Sequence, residues 1–211
     1  MKVDLSELEQ DALAEAFNLA LGEAASSFAD IVNEEIQVSV PQVEIIPRQA
    51  LMQRLQRSGP DGQAGLLCAI SQAFQSVDSC IAAEALLLFP ERGGLEIVRR
   101  MLGEQSTPLE QITELEQDAL GEIGNIIINA CMNSLSNIFD TEMVGTLPSV
   151  SRFALHELFN DQVSEVFVLV ARVGMSLSTQ DINGHVLFLM DMPSLESIVE
   201  RIQTFFGLDV G

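Results

Sequence analysis

One polar pattern occurs twice in this chain, and it carries the chemistry that the sequence offers. Each copy has an aspartate, a glutamate four residues later and an asparagine three residues after that: Asp11, Glu15 and Asn18, then Asp118, Glu122 and Asn125. In each copy 22 residues separate the asparagine from a proline, which is Pro41 or Pro148. Corresponding positions are all 107 residues apart, as Pro41 and Pro148 show. The pattern therefore predicts a duplicated site.

The residue types suit a site that positions other reactants. A carboxylate accepts hydrogen bonds and carries charge, whereas a primary amide both donates and accepts, so it can hold and aim a water molecule. Neither group is a strong nucleophile, and no histidine stands in the pattern to act as a general base near neutral pH. Hydrolysis of an activated phosphoryl group fits, because that reaction depends mostly on positioning and charge stabilisation.

Two other interpretations of the trio remain open. Charged stripes on amphipathic helices are most often solvated faces without a further role. Asp, Glu and Asn are also ligands for Mg²⁺ or Ca²⁺. Each trio, however, offers few ligands on a convex helix, without an oxygen-rich loop beside it, so we expect no metal bound by the chain itself.

Each trio should be carried by a long amphipathic helix. Ser6 with Glu9, and Thr113 with Glu116, form capping boxes that predict where the two helices begin. Residues spaced by four and then three positions return to one side of a helix, so each trio should form one outward stripe. Apolar residues at helical spacing predict the buried faces: Leu8, Ala12, Leu19, Ala20, Ala24, Phe28 and Ile31, then Leu115, Leu120, Ile126, Ile127, Ala130 and Leu135.

The same order of elements follows in each half: a proline-interrupted extended run, a short helix, two strands and a closing helix. The ranges are 36–46, 48–57, 65–74, 81–89 and a helix opening at 94–98, then 143–150, 153–159, 163–173, 185–190 and a helix opening at 193–199. A half of about 100 residues cannot easily bury a sheet face and a long helix alone. We predict one domain over residues 1–211 with an α/β (α+β) fold. Pseudo-repeats of about 1–105 and 106–211, related by an approximate two-fold axis, share an antiparallel or mixed sheet covered by long helices.

The chain is strongly acidic, with 31 Asp and Glu against 10 Lys and Arg and a formal charge of −21. This field repels nucleic acid and anionic membranes, so the favoured partner is a positively charged protein surface or one that brings its own metal ion. Lys2 is the only lysine, which argues against a Schiff base or a phosphate-clamping lysine.

Cys68, Cys80 and Cys131 lack C-x-x-C spacing and predict buried, reduced thiols. Because no apolar run is long enough to cross a bilayer, we expect a cytoplasmic protein.

The spacing Asp/Ser-x₃-Glu-x₂-Asn-x₂₂-Pro resembles the signature of the CheC, CheX and FliY phosphatases of bacterial chemotaxis. Both copies satisfy it in full, and the resemblance covers nearly the whole chain because the duplicated layout is that of CheC-type members. It implies a hydrolase that removes the phosphoryl group from the aspartate of a phosphorylated CheY-like response regulator. Asn18 and Asn125 would orient the attacking water, and Glu15 and Glu122 would pair with a lysine of the regulator.

The resemblance also implies roles outside the catalytic pairs. Asp11 and Asp118 would bind the partner at the margin of each site, while Pro41 and Pro148 would fix strand geometry. The regulator would supply Mg²⁺, so the chain needs no cofactor of its own. Some CheC proteins also bind the receptor deamidase CheD, which makes CheD a second candidate partner.

Two further hypotheses belong to classes other than enzymes. A non-catalytic adaptor would dock a response regulator or CheD through the same trios without meaningful hydrolysis. A flagellar-switch scaffold is the third hypothesis. Phosphate release from a phosphorylated receiver domain, measured with and without this protein, distinguishes the enzyme from both.

Overall fold

The structure, a computed structural model, describes residues 6–32, 35, 37–57, 66–90, 93–95, 98–99, 113–154, 167–177 and 180–207. The helices are α1 Glu7–Val32, α2 Arg48–Arg57, α3 Glu114–Phe139 and α4 Met192–Phe206, and residues 93–95 and 98–99 are also helical. The strands are β1 Gln37–Pro47, β2 Leu66–Ser76, β3 Ala82–Pro90, β4 Met143–Gly145, β5 Ser149–Ala154, β6 Phe167–Leu177 and β7 Gln180–Met190. Within the described part of the chain, every helix is too short or too polar to span a bilayer.

The two long helices begin at the predicted capping boxes. Glu9 accepts a 2.6 Å hydrogen bond from the Ser6 amide, and the Glu9 amide donates back to Ser6 Oγ at 3.3 Å. Thr113 and Glu116 repeat this exchange at 2.7 and 3.2 Å. Burial opposes ionisation of Glu116, but hydrogen bonds from Thr113 and the ion pair with Arg99 bring its pKa below the ordinary value. A capping box therefore fixes the first turn of each helix that carries a trio.

The strands form one antiparallel sheet in the order β1-β6-β7-β3-β2-β4, with β5 also paired to β2. Each half contributes its first strand to the other half: β1 pairs with β6, and β4 and β5 pair with β2. The centre of the sheet is the pairing of β3 with β7. The predicted fold class is confirmed, and every described strand pair is antiparallel.

The strand pairing defines which residues of the two halves correspond. Val150 of β5 pairs with Ile70 of β2. Its counterpart 107 residues earlier, Val43 of β1, pairs with Ala171 of β6. Ile70 and Ala171 therefore occupy equivalent places beneath the two long helices, and the equivalence extends along both strands.

The core lies in two layers on opposite faces of the sheet. The larger layer joins α1, α3 and α4 to the sheet, and the smaller one places Leu51 of α2 against β1 and β6. In β3, Leu87 belongs to the larger layer while Leu86 and Leu88 belong to the smaller, as expected from alternating side chains. Helices therefore cover the sheet face beneath the trios and leave the trio stripe outward.

Most predicted elements are present, and the differences have clear causes. Residues 153 and 154 continue β5 through pairing with β2, so the predicted helix cannot begin at 153; residues 155–159 lie outside the described part of the chain. The strand predicted from residue 163 is described only from Phe167, because residues 163–166 lie outside the described part of the chain. The β7 strand begins at Gln180, five residues before the prediction, because its N-terminal part pairs with β6 across the hairpin.

The prediction that all three cysteines are buried is wrong for Cys80. Cys68 and Cys131 are buried, whereas Cys80 is exposed in the turn between β2 and β3, where its amide hydrogen-bonds Asp78 at 3.1 Å. Burial raises the pKa of Cys131 to about 12. The thiolate is the reacting species, so burial protects Cys131 both by excluding reagents and by disfavouring ionisation of the thiol.

We expect Ellman's reagent to modify one thiol in the native protein and three after unfolding in guanidinium. A Cys80→Ser variant should show no fast-reacting thiol in the native state. Rapid modification of two or three native thiols would contradict the packing around Cys68 and Cys131.

Candidate functional site

The first trio lies on the outer face of α1. Asp11, Glu15 and Asn18 are all exposed. Leu13 and Phe17, which point to the other side of the helix, are fully buried against the sheet. The stripe predicted from the spacing is therefore present, and α1 supports it through its buried face.

The second trio lies on α3 and differs in one respect. Asp118 and Glu122 are exposed, but Asn125 is half-buried. Ile123 and Gly124, directly before Asn125, are buried. The second asparagine is therefore less exposed than the first.

A groove of about 490 Å³ runs beside the second trio. Its lining combines the trio with the segment that joins β4 to β5, and the residues are Gln117, Asp118, Gly121, Glu122, Asn125, Leu147, Pro148 and Val150. A Cβ atom on Gly121 would lie 3.4 Å from Val150 Cγ2, so α3 and β5 are close here. All four motif residues of the second half, including Pro148, therefore line one groove.

Both motif prolines stand where a strand ladder is interrupted. In β1, pairing with β6 shifts register between Ser39 and Gln42, and Pro41 falls in that interval. In the second half, Pro148 separates β4 from β5. Proline lacks an amide hydrogen and cannot donate to a ladder, which accounts for both breaks. The Pro41 side chain lies outside the described part of the chain.

A chain of amide hydrogen bonds leads from the sheet to Asn125. The buried Gln72 of β2 donates from Nε2 to the carbonyl oxygen of Thr146 at 2.7 Å and to Asn129 Oδ1 at 3.5 Å. Asn129 then donates from Nδ2 to Asn125 Oδ1 at 2.7 Å. The Asn125 carboxamide is thereby held on its carbonyl side. Asn129 lies one helical turn beyond Asn125 in the sequence, whereas no sequence pattern indicates Gln72, which is far away in the chain.

Gly124 allows α3 to lie close to the sheet. A Cβ atom at this position would be only 2.3 Å from Ile70 Cγ2 and 2.6 Å from Ile70 Cβ. The corresponding residue of α1 is Phe17, whose ring packs 5.8 Å from that of Phe188. The sequence difference between Phe17 and Gly124 therefore acts inside the core, through helix-to-sheet packing, and both residues are buried.

Three leucines predicted to be buried are exposed. Leu8 and Leu115, which are equivalent in the two halves, have 65% and 58% of their surface exposed, and Leu19 has 64%. Each of the first two precedes its trio aspartate by three residues, so it lies on the trio side of the helix. Leu13 and Leu21 lie in the core beside the buried members of the predicted faces, which are Ala12, Ala20, Ala24, Leu120, Ile127 and Leu135. An exposed leucine therefore adjoins both trios.

The two trios lie at different levels of the helix pair. Ser134 of α3 donates a 3.0 Å hydrogen bond to the carbonyl oxygen of Ala16, two residues before Asn18. Ser134 is nine residues beyond Asn125, and at about 1.5 Å per residue this is roughly 14 Å along the axis. The geometry brings each trio together on its own helix and keeps the two asparagines apart.

Comparison with known proteins finds similarity over most of the chain. The chain is 21% identical over 207 residues to the CheY-P phosphatase CheC of Bacillus subtilis (strain 168), covering 92% of this chain and 93% of CheC. It is 22% identical over 148 residues to the flagellar motor switch phosphatase FliY of the same organism, covering 70% of this chain and 36% of FliY. No protein-family model matches the chain.

The fold also matches a solved structure. The crystal structure of Thermotoga maritima FliY has a TM-score of 0.74 and 17% identity, covering 95% of this chain and 98% of that one. At this identity the match demonstrates the fold alone. Together with the two sequence relatives, it confirms the resemblance to the CheC-type chemotaxis phosphatases that the motif indicated.

Proposed function

We propose that this chain is a phosphatase that hydrolyses the aspartyl phosphate of a CheY-like response regulator. The observation that carries the proposal is the second groove, where Asp118, Glu122, Asn125 and Pro148 lie together on a rigid helix and an adjoining loop. The similarity to proteins named as phosphatases, one of them a CheY-P phosphatase, supports the same class of substrate.

The chemistry assigned to the asparagines is orientation of water. A water molecule attacks the phosphorus, the bond from phosphorus to the regulator's aspartate oxygen breaks, and inorganic phosphate leaves. Asn18 and Asn125 hold that water in line through their carboxamides, which can donate and accept at once. The regulator supplies the phosphorylated aspartate and Mg²⁺, so neither trio has to bind a metal of its own.

The carboxylates are assigned to docking. Glu15 and Glu122 are exposed one helical turn before each asparagine, within reach of a lysine on a docked regulator. Asp11 and Asp118 extend the negative stripe by another turn and form the margin. The exposed Leu8 and Leu115 give each surface an apolar neighbour for the regulator to cover. Binding of CheD stays a prediction that no described residue tests.

The deciding experiment measures inorganic phosphate released by a phosphorylated receiver domain with and without this protein. Stimulated release, proportional to the amount of protein added, would support the enzyme. Stable binding of the phosphorylated receiver without stimulated release would instead support the adaptor.

The docking role of the glutamates predicts a charge-dependent KM. Changing Glu15→Gln and Glu122→Gln together should raise the KM for the phosphorylated receiver roughly two- to fivefold at low salt, as expected for exposed ion pairs. Added salt should raise the KM of the parent and narrow this difference, because it screens the same attraction. Steady-state kinetics at two ionic strengths provide the measurement.

The matched control removes two exposed carboxylates from a different helix, through Glu196→Gln and Glu200→Gln on α4. Its net charge equals that of the Glu15 and Glu122 variant, so it separates a local ion pair from the general field. An equal rise in KM for both variants would remove the assigned role.

A further inference from the structure

We propose that Asn129 and Gln72 are positioning residues that order the Asn125 carboxamide and make the second trio the faster of the two sites. The inference rests on the proposed function and extends it to residues outside the motif. It starts from the hydrogen-bond chain that leads from Thr146 through Gln72 and Asn129 to Asn125.

The hydrogen-bond chain restricts rotation of the Asn125 side chain. Asn129 Nδ2 donates to Asn125 Oδ1 at 2.7 Å, which fixes the carbonyl side of the Asn125 amide toward Asn129. A carbonyl oxygen has two lone pairs, so Oδ1 can accept a second bond, and both hydrogens of Nδ2 stay available for water or the regulator. An amide that already accepts a bond is also polarised, which strengthens its outward N–H groups.

Gln72 holds Asn129 in turn. It is only 5% exposed, and its Nε2 bridges the Thr146 carbonyl oxygen at 2.7 Å and Asn129 Oδ1 at 3.5 Å. A buried glutamine would be costly without such bonds. Thr146 is itself fixed, because its amide donates to the carbonyl oxygen of Ala73 at 2.9 Å. The hydrogen-bond chain thus begins at a residue that is anchored to the edge of the sheet.

The first site has neither positioning residue. Gly22 stands 107 residues before Asn129 and has no side chain to donate. Val173 corresponds to Gln72, since each lies two residues beyond the equivalent pair Ile70 and Ala171, and it is buried and apolar. The motif asparagines are therefore supported differently, although the motif itself is the same in both halves.

The kinetic test isolates the second site in an Asn18→Ala background. There, Asn129→Ala should lower kcat roughly three- to tenfold, the range expected for one lost hydrogen bond, with KM within about twofold. Asn129→Asp keeps the shape and the acceptor for Gln72 but loses the donor, so its kcat should fall as well. An unchanged kcat in Asn129→Ala would overturn the proposal.

The converse test isolates the first site with Asn125→Ala. Gly22→Asn has open space around its Cβ and places a donor one turn beyond Asn18. It should raise kcat at the first site, by less than the Asn129→Ala loss, because Val173 cannot anchor the new side chain. A decrease in kcat would count against the proposal.

A spectroscopic readout separates this proposal from the proposed function. In ¹⁵N-labelled protein, the Asn125 side-chain amide should show a higher heteronuclear NOE than that of Asn18, and Asn129→Ala should reduce it to the Asn18 level. A parent that releases no phosphate would overturn the function while the NOE still tests the ordering. Equal NOE values for Asn18 and Asn125 in the parent would overturn the ordering, even in an active phosphatase.

Discussion

Replacing Asn18 and Asn125 together by alanine is expected to reduce phosphate release from a phosphorylated receiver to the rate of the receiver alone. Both carboxamides that we propose to orient water are then absent, and losing the alignment of a reacting group costs on the order of 100-fold. Asn18 is exposed and Asn125 is half-buried, so the free energy of unfolding should change by no more than about 1 kcal/mol. Phosphate release and thermal unfolding of the same preparation provide the two measurements.

The control for the double variant is Asn133→Ala with Asn137→Ala, which removes two exposed asparagines of α3 outside the motif. It should retain the parent rate. The single variants should each keep part of the activity, and Asn125→Ala should lose the larger part if the hydrogen bond from Asn129 orders that site as proposed. A folded double variant that still dephosphorylates at the parent rate would sink the mechanism, and complete loss in either single variant would require one composite site.

Gly124→Ala is expected to destabilise the protein by about 1–3 kcal/mol, near the upper end of that range, because it overpacks the contact between α3 and β2. The new Cβ would lie 2.6 Å from Ile70 Cβ, so no rotamer of Ile70 relieves the contact and α3 has to shift outward. Asn125 is the next residue and moves with the helix. We therefore expect lower phosphate release at the second site in the Asn18→Ala background, together with a lower Tm.

Gly22→Ala is the matched control, since no atom outside its own stretch of helix lies within 4 Å of its Cβ position. Alanine in a helix is more favourable than glycine by roughly 0.5–1 kcal/mol, so this variant should be slightly more stable than the parent. Urea unfolding of both variants gives the comparison. Equal stability of the Gly22→Ala and Gly124→Ala variants would contradict the close approach of α3 to the sheet.

Local patterns gave the helix starts and the trio stripes, because both depend on neighbours within a few residues. Ser6 with Glu9 and Thr113 with Glu116 form the predicted capping boxes. The short helix predicted near residues 48–57 is also present, as α2 Arg48–Arg57. The motif spacing further predicted a duplication, and β1 with β6 and β5 with β2 pair in equivalent ways in the sheet.

Features that depend on residues distant in sequence could not be obtained in this way. Gln72 reaches Asn129 only because β2 packs beneath α3. The exposure of Leu8 and Leu115 depends on the exact rotation of each helix against the sheet, which apolar spacing alone places only to within a residue or two. Cys80 is exposed because it falls in the turn between β2 and β3 rather than in either strand.

The exchange of outer strands between the halves has a consequence for how the chain folds. Gln37 of β1 pairs with Ser176 of β6, more than 100 positions later in the chain. During synthesis on the ribosome, β1 therefore stays unpaired until most of the second half has been synthesised. Because α1 packs on β1, its packing is delayed as well. Such long-range pairing raises contact order and slows folding. We expect the two sites to form together in one late cooperative folding step, without an intermediate in which only the first half is folded and active.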